Sequence, residues 1–288
     1  MRRSFETIWV EPFGISNVSG RLRAAFSFGE QCVNQVGFPD WYTGTTGTLV
    51  QWYTGPVFEI RSNEPERIDT GDYTEAEYRK FLREIRFINR WIGDRWALEK
   101  SLLKEIEGSN LAEFSVLDVG AGSGELLKEI AVFTHRREAK AFLIGLDLNE
   151  LAVESIADEG KQFDEINAVR GDALRLPFAD DSFDYAICSL FTHHFTDDGV
   201  VGILKEMRRV SRRGVYVIDL HREPGAYRMY RLFCAIFRIS ELVRHDGLLS
   251  IKKGFQPKEL SDLAKRAGFG RVRATTVFPA RVVVAASI

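Results

Sequence analysis

The apolar positions of this chain fall into five short runs, each followed by glycine or a polar residue. Near-continuous apolar runs of this length are typical of parallel strands that are covered on both faces. The runs lie at residues 116–119, 141–146, 166–170, 183–188 and 215–220. Segments with helical spacing separate several of them, so the pattern predicts successive βα units in a doubly wound, mostly parallel sheet.

Further patterns lie before and after these βα units. Capping-box spacing from Thr74 opens a predicted helix that Gly93 ends, and a second helix is predicted over 94–108. One strongly apolar helix is predicted over 224–243 as an insertion. Two runs over 271–287 predict a terminal antiparallel hairpin, and the proline between them suits a turn or a sheet edge.

These patterns divide the chain into three parts. Residues 1–62 show no sustained period and are predicted to be an irregular or poorly ordered extension, with a small subdomain as the alternative. Residues 63–110 form a helical leader, which either packs onto the core or covers a ligand site as a lid. Residues 111–288 form the main domain, including the inserted helix at 224–243.

A glycine turn follows the first strand and precedes a helix. Gly120, Gly122 and Gly124 let the chain turn sharply and let a ligand approach the backbone. The helix that starts at Glu125 directs free N–H groups toward this turn. The spacing is G-x-G-x-G, whereas the dinucleotide fingerprint is G-x-G-x-x-G. The turn predicts a nucleotide site, although a lone turn also fits a tight connection without a ligand.

Composition and charge narrow the class of protein. In 288 residues, 45% are hydrophobic and 28% are charged, as in globular proteins with a sizeable core. The net charge of −2 gives no reason to expect a nucleic-acid or general membrane-surface partner. Three widely spaced cysteines build no disulfide framework, which fits a cytoplasmic location. No apolar run reaches the length of an integral membrane segment.

Acidic residues follow two of the predicted strands. In open α/β sheets, ligands bind outside the carboxyl ends of the strands. Asp147 ends the second strand, where its carboxylate can accept hydrogen bonds from a ribose diol. Asp172 follows the third strand and could accept from an adenine amine. Either residue alone also fits a helix cap or a solvated turn residue, but the two together beside a glycine turn favour a nucleotide site.

Three segments carry a resemblance to a known family: 117–124, 145–149, and 171–178 with 181–184. In this order they resemble the class I S-adenosylmethionine (SAM) methyltransferases, most closely the ubiquinone/menaquinone-biosynthesis and small-molecule tailoring type. The resemblance covers about 114–220 and continues more loosely to the end. It implies a Rossmann-like α/β fold with a seven-stranded, mostly parallel sheet, N-terminal helices and a C-terminal hairpin, and it implies SAM as cofactor.

The same resemblance implies roles for individual residues. The glycine turn, with Asp118 at the strand end, would hold the methionine part of SAM, and Asp147 would hold the ribose. Leu148, Asp172 and Ala173 would contact the adenine, while Ser189 and Leu190 would line the pocket near the sulfonium. The predicted cofactor-binding residues are Asp118, Gly120, Ala121, Gly122, Gly124, Asp147, Leu148, Asp172, Ala173, Ser189 and Leu190.

Two adjacent histidines follow the fourth strand on the expected substrate side. His194 or His193 could remove a proton from a phenolic or enolic hydroxyl as that oxygen attacks the methyl group. The alternative is that His194 orders the loop while His193 is partly exposed. No metal site is expected, because adjacent histidine side chains would point apart and no carboxylate spacing completes a ligand set.

The leading hypothesis is therefore a SAM-dependent methyltransferase acting on a small, hydrophobic or aromatic, hydroxylated acceptor. O-methylation is favoured over C-methylation. The alternatives are a SAM-fold subunit that binds without catalysis and a nicotinamide-dependent oxidoreductase, which the glycine spacing disfavours. The absence of a basic cluster weighs against a nucleic-acid substrate. The sequence leaves the acceptor and the oligomeric state open.

Overall fold

The computed structural model describes residues 58–71, 73–91 and 93–288, with the side chains of Arg90 and Trp91 left aside. The extension predicted over 1–62 lies almost entirely outside the described residues. The division of the chain at 62 and 110 stays a prediction.

A helical leader precedes the sheet. It comprises α1 (Arg67–Thr70), α2 (Glu75–Trp91), α3 (Asp94–Leu98), a π-helical turn (Glu99–Leu103) and α4 (Lys104–Gly108). Glu75 and Glu77 lie in the first turn of α2, where negative charge favours a helix N-terminus. Gly93 takes a left-handed conformation between α2 and α3, so the chain changes direction where the sequence predicts the first helix to end.

Seven strands form one sheet in the order β3-β2-β1-β4-β5-β7-β6. The strands are β1 (Glu113–Val119), β2 (Lys140–Asp147), β3 (Ile166–Arg170), β4 (Phe183–Ser189), β5 (Ser211–Leu220), β6 (Arg271–Val277) and β7 (Arg281–Ser287). The first five are parallel, and β7 runs antiparallel to both β5 and β6. The predicted fold class and terminal hairpin are confirmed.

Helices cover both faces of this sheet. They are α5 (Glu125–Arg136), α6 (Glu150–Glu159), α7 (Asp197–Val210), α8 (Pro224–Phe237), α9 (Glu241–Lys253) and α10 (Pro257–Arg266), with a short 3₁₀ turn at Thr192–His194. Two apolar clusters, one including Leu117 and the other Val116, form the core. Alternate residues of β1 therefore belong to different clusters, as burial of both faces requires.

The inserted segment differs from the prediction of one helix over 224–243. α8 ends at Phe237, Arg238 adopts a left-handed conformation, and α9 begins at Glu241. Ser240 donates hydrogen bonds from its backbone N–H and its hydroxyl to Glu84 of α2. The chain therefore turns where Ser240 is tied to the leader, which helical periodicity alone does not reveal.

A third apolar cluster joins the leader to the inserted pair of helices. It includes Ile88 of α2, Tyr230 and Cys234 of α8, and Val243 of α9. Tyr230 also donates a buried hydrogen bond to the carbonyl of Val243 at 2.9 Å, which holds α8 against α9. Together these helices lie over the carboxyl ends of the strands.

Candidate active site

A cavity of about 970 Å³ lies at the carboxyl ends of β1, β2 and β4. Its lower part is lined by the glycine turn, the end of β2 and the loop after β4. Its upper part is lined by residues of the leader and of the inserted helices. The cavity is therefore at the upper end of the usual size range of small-molecule and cofactor sites.

The glycine turn forms one wall of this cavity. Gly120 has φ +70° and Gly122 has φ +54°, conformations that favour glycine. A Cβ at Gly120 would come within 2.3–2.7 Å of the Phe191 ring, whereas one at Gly122 would meet nothing within 4 Å. Gly122 therefore presents bare backbone to open space, as close approach by a ligand requires. Ala121 also lines the cavity; Gly124 does not, and its predicted contact stays a prediction.

Asp147 links the glycine turn to the end of β2. Its Oδ2 accepts a hydrogen bond from the Gly122 N–H at 2.9 Å, and its Oδ1 accepts one from the Asn149 N–H at 2.9 Å. Burial raises the pKa of Asp147, although these backbone hydrogen bonds oppose the effect. The carboxylate is thus fixed at the cavity wall and keeps lone pairs for further donors.

Asp118 and Ser189 bring unpaired polar atoms to the same wall. Asp118 is 2% exposed, and its Oδ1 has no hydrogen-bond partner among the described residues. Burial, with the charge of Asp147, raises the pKa of Asp118 to about 8. The Ser189 hydroxyl is likewise buried without a partner, and Leu190 lines the cavity beside it. Buried polar atoms without partners are costly unless a ligand satisfies them.

Three predicted adenine contacts lie outside the cavity lining. Asp172 is exposed and its Oδ1 accepts from the Leu174 N–H at 2.9 Å within a turn, which agrees with the alternative of a solvated turn residue. Ala173 is buried in the core cluster, and Leu148 is 66% exposed. Their roles in binding a cofactor stay predictions.

The two histidines lie together in the cavity. Their rings are 4.2 Å apart, so the premise that adjacent histidine side chains point apart is wrong. His193 is 3% exposed, not partly exposed as the alternative interpretation required. Its Nδ1 is 2.7 Å from Oδ1 of Asp219, at the end of β5, while its Nε2 is 3.8 Å from Oε1 of Glu66.

Asp219 is an anion that holds this loop in place. It also accepts hydrogen bonds from the Thr192 hydroxyl at 2.5 Å and from the Leu220 N–H at 2.7 Å. Burial raises the pKa of Asp219, but the facing His193 and the hydrogen bonds outweigh burial and hold it at about 2. An ionised Asp219 favours a proton on Nδ1 of His193, and Nε2 is the ring nitrogen that faces Glu66.

His194 also has acidic neighbours. Its Nδ1 is 2.8 Å from Oδ1 of Asp69 and 3.9 Å from Oε1 of Glu66. Burial lowers the pKa of His194, but these two carboxylates outweigh it and the pKa is raised. His194 therefore holds its proton to a higher pH than an ordinary histidine.

Glu66 and Asp69, at the start of α1, are site residues that sequence reasoning missed. Lys253 of α9 places its ammonium 3.2 Å from Glu66 Oε1 and 3.3 Å from Asp69 Oδ2, so it neutralises part of the acidic charge. The available signal was the reciprocal capping of α1 by these two side chains. That signal marks a helix start and does not reveal a neighbour so distant in the chain.

The remainder of the cavity wall is largely apolar. Aliphatic and aromatic side chains of α2, α8 and α9 face it: Phe81, Ile85, Ala226, Met229, Tyr230 and Ile251. The site thus has a polar floor with a histidine pair and an apolar cover. The glycine turn and the unpaired atoms of Asp118 and Ser189 fit a ligand that carries donors, such as the ammonium and hydroxyl groups of SAM.

Comparisons with known proteins agree with this geometry. Residues 116–214 match a family described as a methyltransferase domain. The chain is 33% identical over 174 residues to the ubiquinone/menaquinone biosynthesis C-methyltransferase UbiE of Paracoccus denitrificans, covering 55% of this chain and 67% of that protein. It is 26% identical over 236 residues to the O-methyltransferase rstn1 of Aspergillus nomiae, covering 77% of this chain and 93% of that protein.

A solved structure shows the same fold. The magnesium protoporphyrin IX methyltransferase of Synechocystis superposes with a TM-score of 0.55 at 14% identity, over 77% of this chain and 99% of that one. The present chain spans between 43% and 67% of the lengths of curated relatives from Bacillus, Paracoccus and Staphylococcus. The family match over 116–214 begins within β1 and ends within β5.

The chain belongs to the SAM-dependent methyltransferases, a family whose cofactor is S-adenosylmethionine. Within this family it is similar to the ubiquinone/menaquinone-biosynthesis methyltransferases and other small-molecule methyltransferases. Membership of this family excludes the alternative of a nicotinamide-dependent oxidoreductase.

Proposed function

We propose that this protein binds SAM at the glycine turn and transfers its methyl group to a small, largely apolar acceptor that carries an ionisable hydroxyl. One observation carries the proposal: a single cavity is lined by the glycine turn, by His193 with its buried partner Asp219, and by an apolar cover. When bound, SAM supplies an electrophilic methyl group, so the protein chiefly has to bind, orient and deprotonate.

The cofactor would be held by residues that already lie in place. Asp147 would accept from the ribose hydroxyls, and Asp118 would pair with the ammonium group. The backbone at Gly120–Gly122 would lie along the methionine part, with Ser189 and Leu190 beside it. Asp172, Ala173 and Leu148 would reach the adenine only from beyond the present cavity lining.

His193 is the better candidate for a general base. Asp219 orients its imidazole and stabilises the positive charge that the ring acquires on taking a proton. Asp69 and Glu66 raise the pKa of His194, so it suits a role as a hydrogen-bond donor that positions the acceptor. This assignment refines the prediction that either histidine could act as the base.

A base of this kind favours acceptors with an acidic hydroxyl, such as phenols, enols and quinols. Proton removal activates the oxygen for O-methylation and, in an enol or phenol, also the adjacent carbon. The relatives include a C-methyltransferase and an O-methyltransferase by name, so they support either outcome. We favour O-methylation, because the base then acts on the atom that attacks.

The test is methyl transfer from labelled SAM to a panel of hydroxylated aromatics, quinols and polyketides, analysed by mass spectrometry. His193→Gln and Asp219→Asn should each lower turnover by roughly 10²–10⁴-fold, with SAM affinity within a factor of about two of wild type. The control is Arg266→Gln, which removes an exposed ion pair with Asp198 away from the cavity. SAM binding with no transfer to any acceptor would instead support a subunit that binds without catalysis.

We further propose a cytoplasmic location and a small-molecule acceptor without a nucleic-acid partner. Cys188 and Cys234 are buried free thiols, which suits a reducing compartment. Among the described residues no helix has the length and hydropathy that crossing a membrane requires. Fractionation of cells that express the tagged chain would test the location.

A further inference from the structure

Two histidines and one glutamate converge at one corner of the active-site cavity. Oε1 of Glu66 lies 3.8 Å from Nε2 of His193 and 3.9 Å from Nδ1 of His194. The three atoms all lie within 4.8 Å of one another. Ligand atoms about 2.1 Å from one tetrahedral metal are roughly 3.4 Å apart, so shortening the two measured distances by about 0.5 Å would suit a shared ion. The spacing therefore fits three ligands of one metal.

Two of these atoms have no hydrogen-bond partner among the described residues. They are Oε1 of Glu66 and Nδ1 of His194, and both are buried. Each lies near a charged group without hydrogen-bonding geometry: Oε1 is 3.2 Å from the ammonium of Lys253, and Nδ1 is 2.8 Å from Oδ1 of Asp69. Glu66 is only 2% exposed. Buried polar atoms of this kind are usually satisfied by a bound water or an ion.

Neighbouring side chains already orient the ligands. Nδ1 of His193 is 2.7 Å from Oδ1 of Asp219, and the opposite nitrogen, Nε2, faces Glu66. Metal-binding histidines usually donate their second ring N–H to a carboxylate in this way. Oε2 of Glu66 accepts a hydrogen bond from the Ser250 hydroxyl at 2.9 Å, and Oε1 is the oxygen near the histidines. The outer contacts that orient metal ligands are therefore present.

The charge around this corner is negative. Glu66, Asp69 and Asp219 place three carboxylates against the histidine pair, and Lys253 places one ammonium against Glu66 and Asp69. Arg61 also approaches the loop of the histidines, but an aspartate of α7 pairs with it at 2.7 Å. With neutral imidazoles, the carboxylates in these contacts outnumber the cations. A divalent cation is therefore attracted, and Lys253 is the group that opposes it.

The ligand types select the class of metal. Imidazole nitrogen suits Zn²⁺, Fe²⁺, Ni²⁺ and Cu²⁺, whereas Mg²⁺ and Ca²⁺ prefer oxygen ligands. Glu66, His193 and His194 all line the cavity, so coordination positions that the protein leaves unfilled would face it. Two histidines and one carboxylate with open positions form an established type of transition-metal site.

We propose that Glu66, His193 and His194 bind a divalent transition metal of the Zn²⁺ class, and that the bound metal blocks methyl transfer. The blocking role rests on the proposed function, because a metal on Nε2 of His193 takes the lone pair that would accept the proton of the acceptor. The expectation of no metal site rested on histidine side chains that point apart, and the ring separation of 4.2 Å removes that objection.

Equilibrium dialysis of the untagged, metal-free full chain against Zn²⁺, followed by elemental analysis, tests the site. The chain should retain about one Zn²⁺ in the presence of excess Mg²⁺. Co²⁺ should give a visible spectrum of nitrogen and oxygen ligands without a thiolate charge-transfer band. No retained Zn²⁺ would overturn the proposal and leave water as the partner of the buried atoms. A thiolate band would overturn it too, because the metal would then be bound by cysteine.

Variants locate the bound metal. Loss of an outer contact to a metal ligand typically costs 10–100-fold in affinity, so Glu66→Gln and His194→Gln should each weaken Zn²⁺ binding by roughly tenfold or more. Lys253→Gln should strengthen it, because the opposing ammonium is removed. His135→Gln is the matched control, since His135 is an exposed histidine 2.8 Å from Glu165. Thermal denaturation checks the folding of each variant. Wild-type affinity in both ligand variants would overturn the proposal.

Methyl transfer separates this proposal from the proposed function. Zn²⁺ should inhibit transfer by the wild-type chain, EDTA should reverse the inhibition, and Glu66→Gln should need roughly tenfold more Zn²⁺ for the same inhibition. Zn²⁺ bound at the three residues without inhibition would overturn the blocking role. The dialysis uses neither SAM nor an acceptor, so the metal site is decided even if the chain transfers no methyl group.

Discussion

Asp118 shows how one buried carboxyl prepares a site for a cation. It lies at the end of β1 with an oxygen that has no partner among the described residues, and burial with the nearby Asp147 raises its pKa to about 8. Without a facing positive charge, Asp118 is therefore protonated near neutral pH. An arriving ammonium group reverses this preference, because a facing positive charge stabilises the carboxylate.

Cofactor binding should therefore release a proton. At about pH 6.5, below the usual range for an α-amino group, SAM binding should release about one proton as Asp118 ionises. Calorimetric titration in buffers of different ionisation enthalpy counts the protons. Asp118→Asn should abolish most of the release and weaken binding. Proton release that persists in this variant would mean that another group, such as Asp147, titrates instead.

Asp147→Ala should lower affinity for SAM by roughly ten- to a hundredfold, equivalent to about 1.5–3 kcal/mol. The variant loses charged hydrogen bonds to the ribose and also the acceptor that fixes the Gly122 N–H. Asp158→Ala, an exposed aspartate in α6 paired with Lys161, is the control. The check is titration with SAM and S-adenosylhomocysteine; unchanged affinity in a folded Asp147 variant would remove the residue from the site.

At the scale of single residues, sequence reasoning identified candidate site residues at the ends of strands and missed candidates that lie elsewhere. Asp147 and Ser189 were predicted from strand ends and Asp118 from the family resemblance, and all three line the cavity because parallel strands bring their carboxyl ends to one edge. Glu66 and Asp69 reach the same cavity from a short helix whose position depends on tertiary packing. The orientation of His193 was also beyond prediction, since the loop conformation and the hydrogen bonds to Asp219 decide it.

At the scale of elements, helical period predicted where apolar faces lie better than where helices end. The helical period of apolar residues continues across 224–243. Nevertheless α8 and α9 are separate helices, because the backbone of Arg238 is left-handed and Ser240 binds Glu84. A serine followed by a glutamate at 240–241 was the local signal for a new helix. This signal could be interpreted only once the structure showed that Ser240 binds Glu84 of α2.

Arg222 joins three of these elements and should be a main determinant of stability. It is fully buried after β5, where it donates to the carbonyls of Phe58 and Gly254 and pairs with Glu259 of α10. Arg222→Ala would leave these acceptors without their donor. The free energy of unfolding should fall by about 3–5 kcal/mol.

The matched control is Arg266→Ala, whose partner Asp198 is exposed, and its loss should cost about 1 kcal/mol or less. Urea denaturation of both variants gives the comparison. Equal effects for the two arginines would show that the buried network around Arg222 adds no stability beyond that of a surface ion pair.

For the whole molecule, the arrangement of the sheet was predictable because it follows from local patterns. Each apolar run has a glycine or polar end, and right-handed βα connections leave few topologies. The placement of the leader over the sheet was not predictable in the same way. It depends on long-range contacts, such as the hydrogen bond from Ser250 to Glu66 and the packing of Ile88 against α8 and α9.

The ion pairs of Asp219 and Asp69 also predict how the free energy of unfolding depends on pH. The pKa values of Asp219 and Asp69 are held at about 2 in the folded protein, where burial alone would raise them, because His193, His194 and Lys253 outweigh it. Both pKa values lie below those of unfolded aspartates. The stabilisation is therefore present above about pH 4 and is lost as the pH falls toward 2.

Asp219→Asn tests this dependence without involving catalysis. Asp219 is fully buried, so its depressed pKa should contribute about 2 kcal/mol at neutral pH. The variant should be destabilised by a similar amount at pH 7, and its unfolding free energy should fall less steeply between about pH 4 and pH 2. Urea denaturation across this range, with Asp158→Asn as the exposed control, measures both. An acid limb as steep as that of wild type would show that Asp219 does not link the histidine loop to acid stability, and that other carboxylates carry the effect.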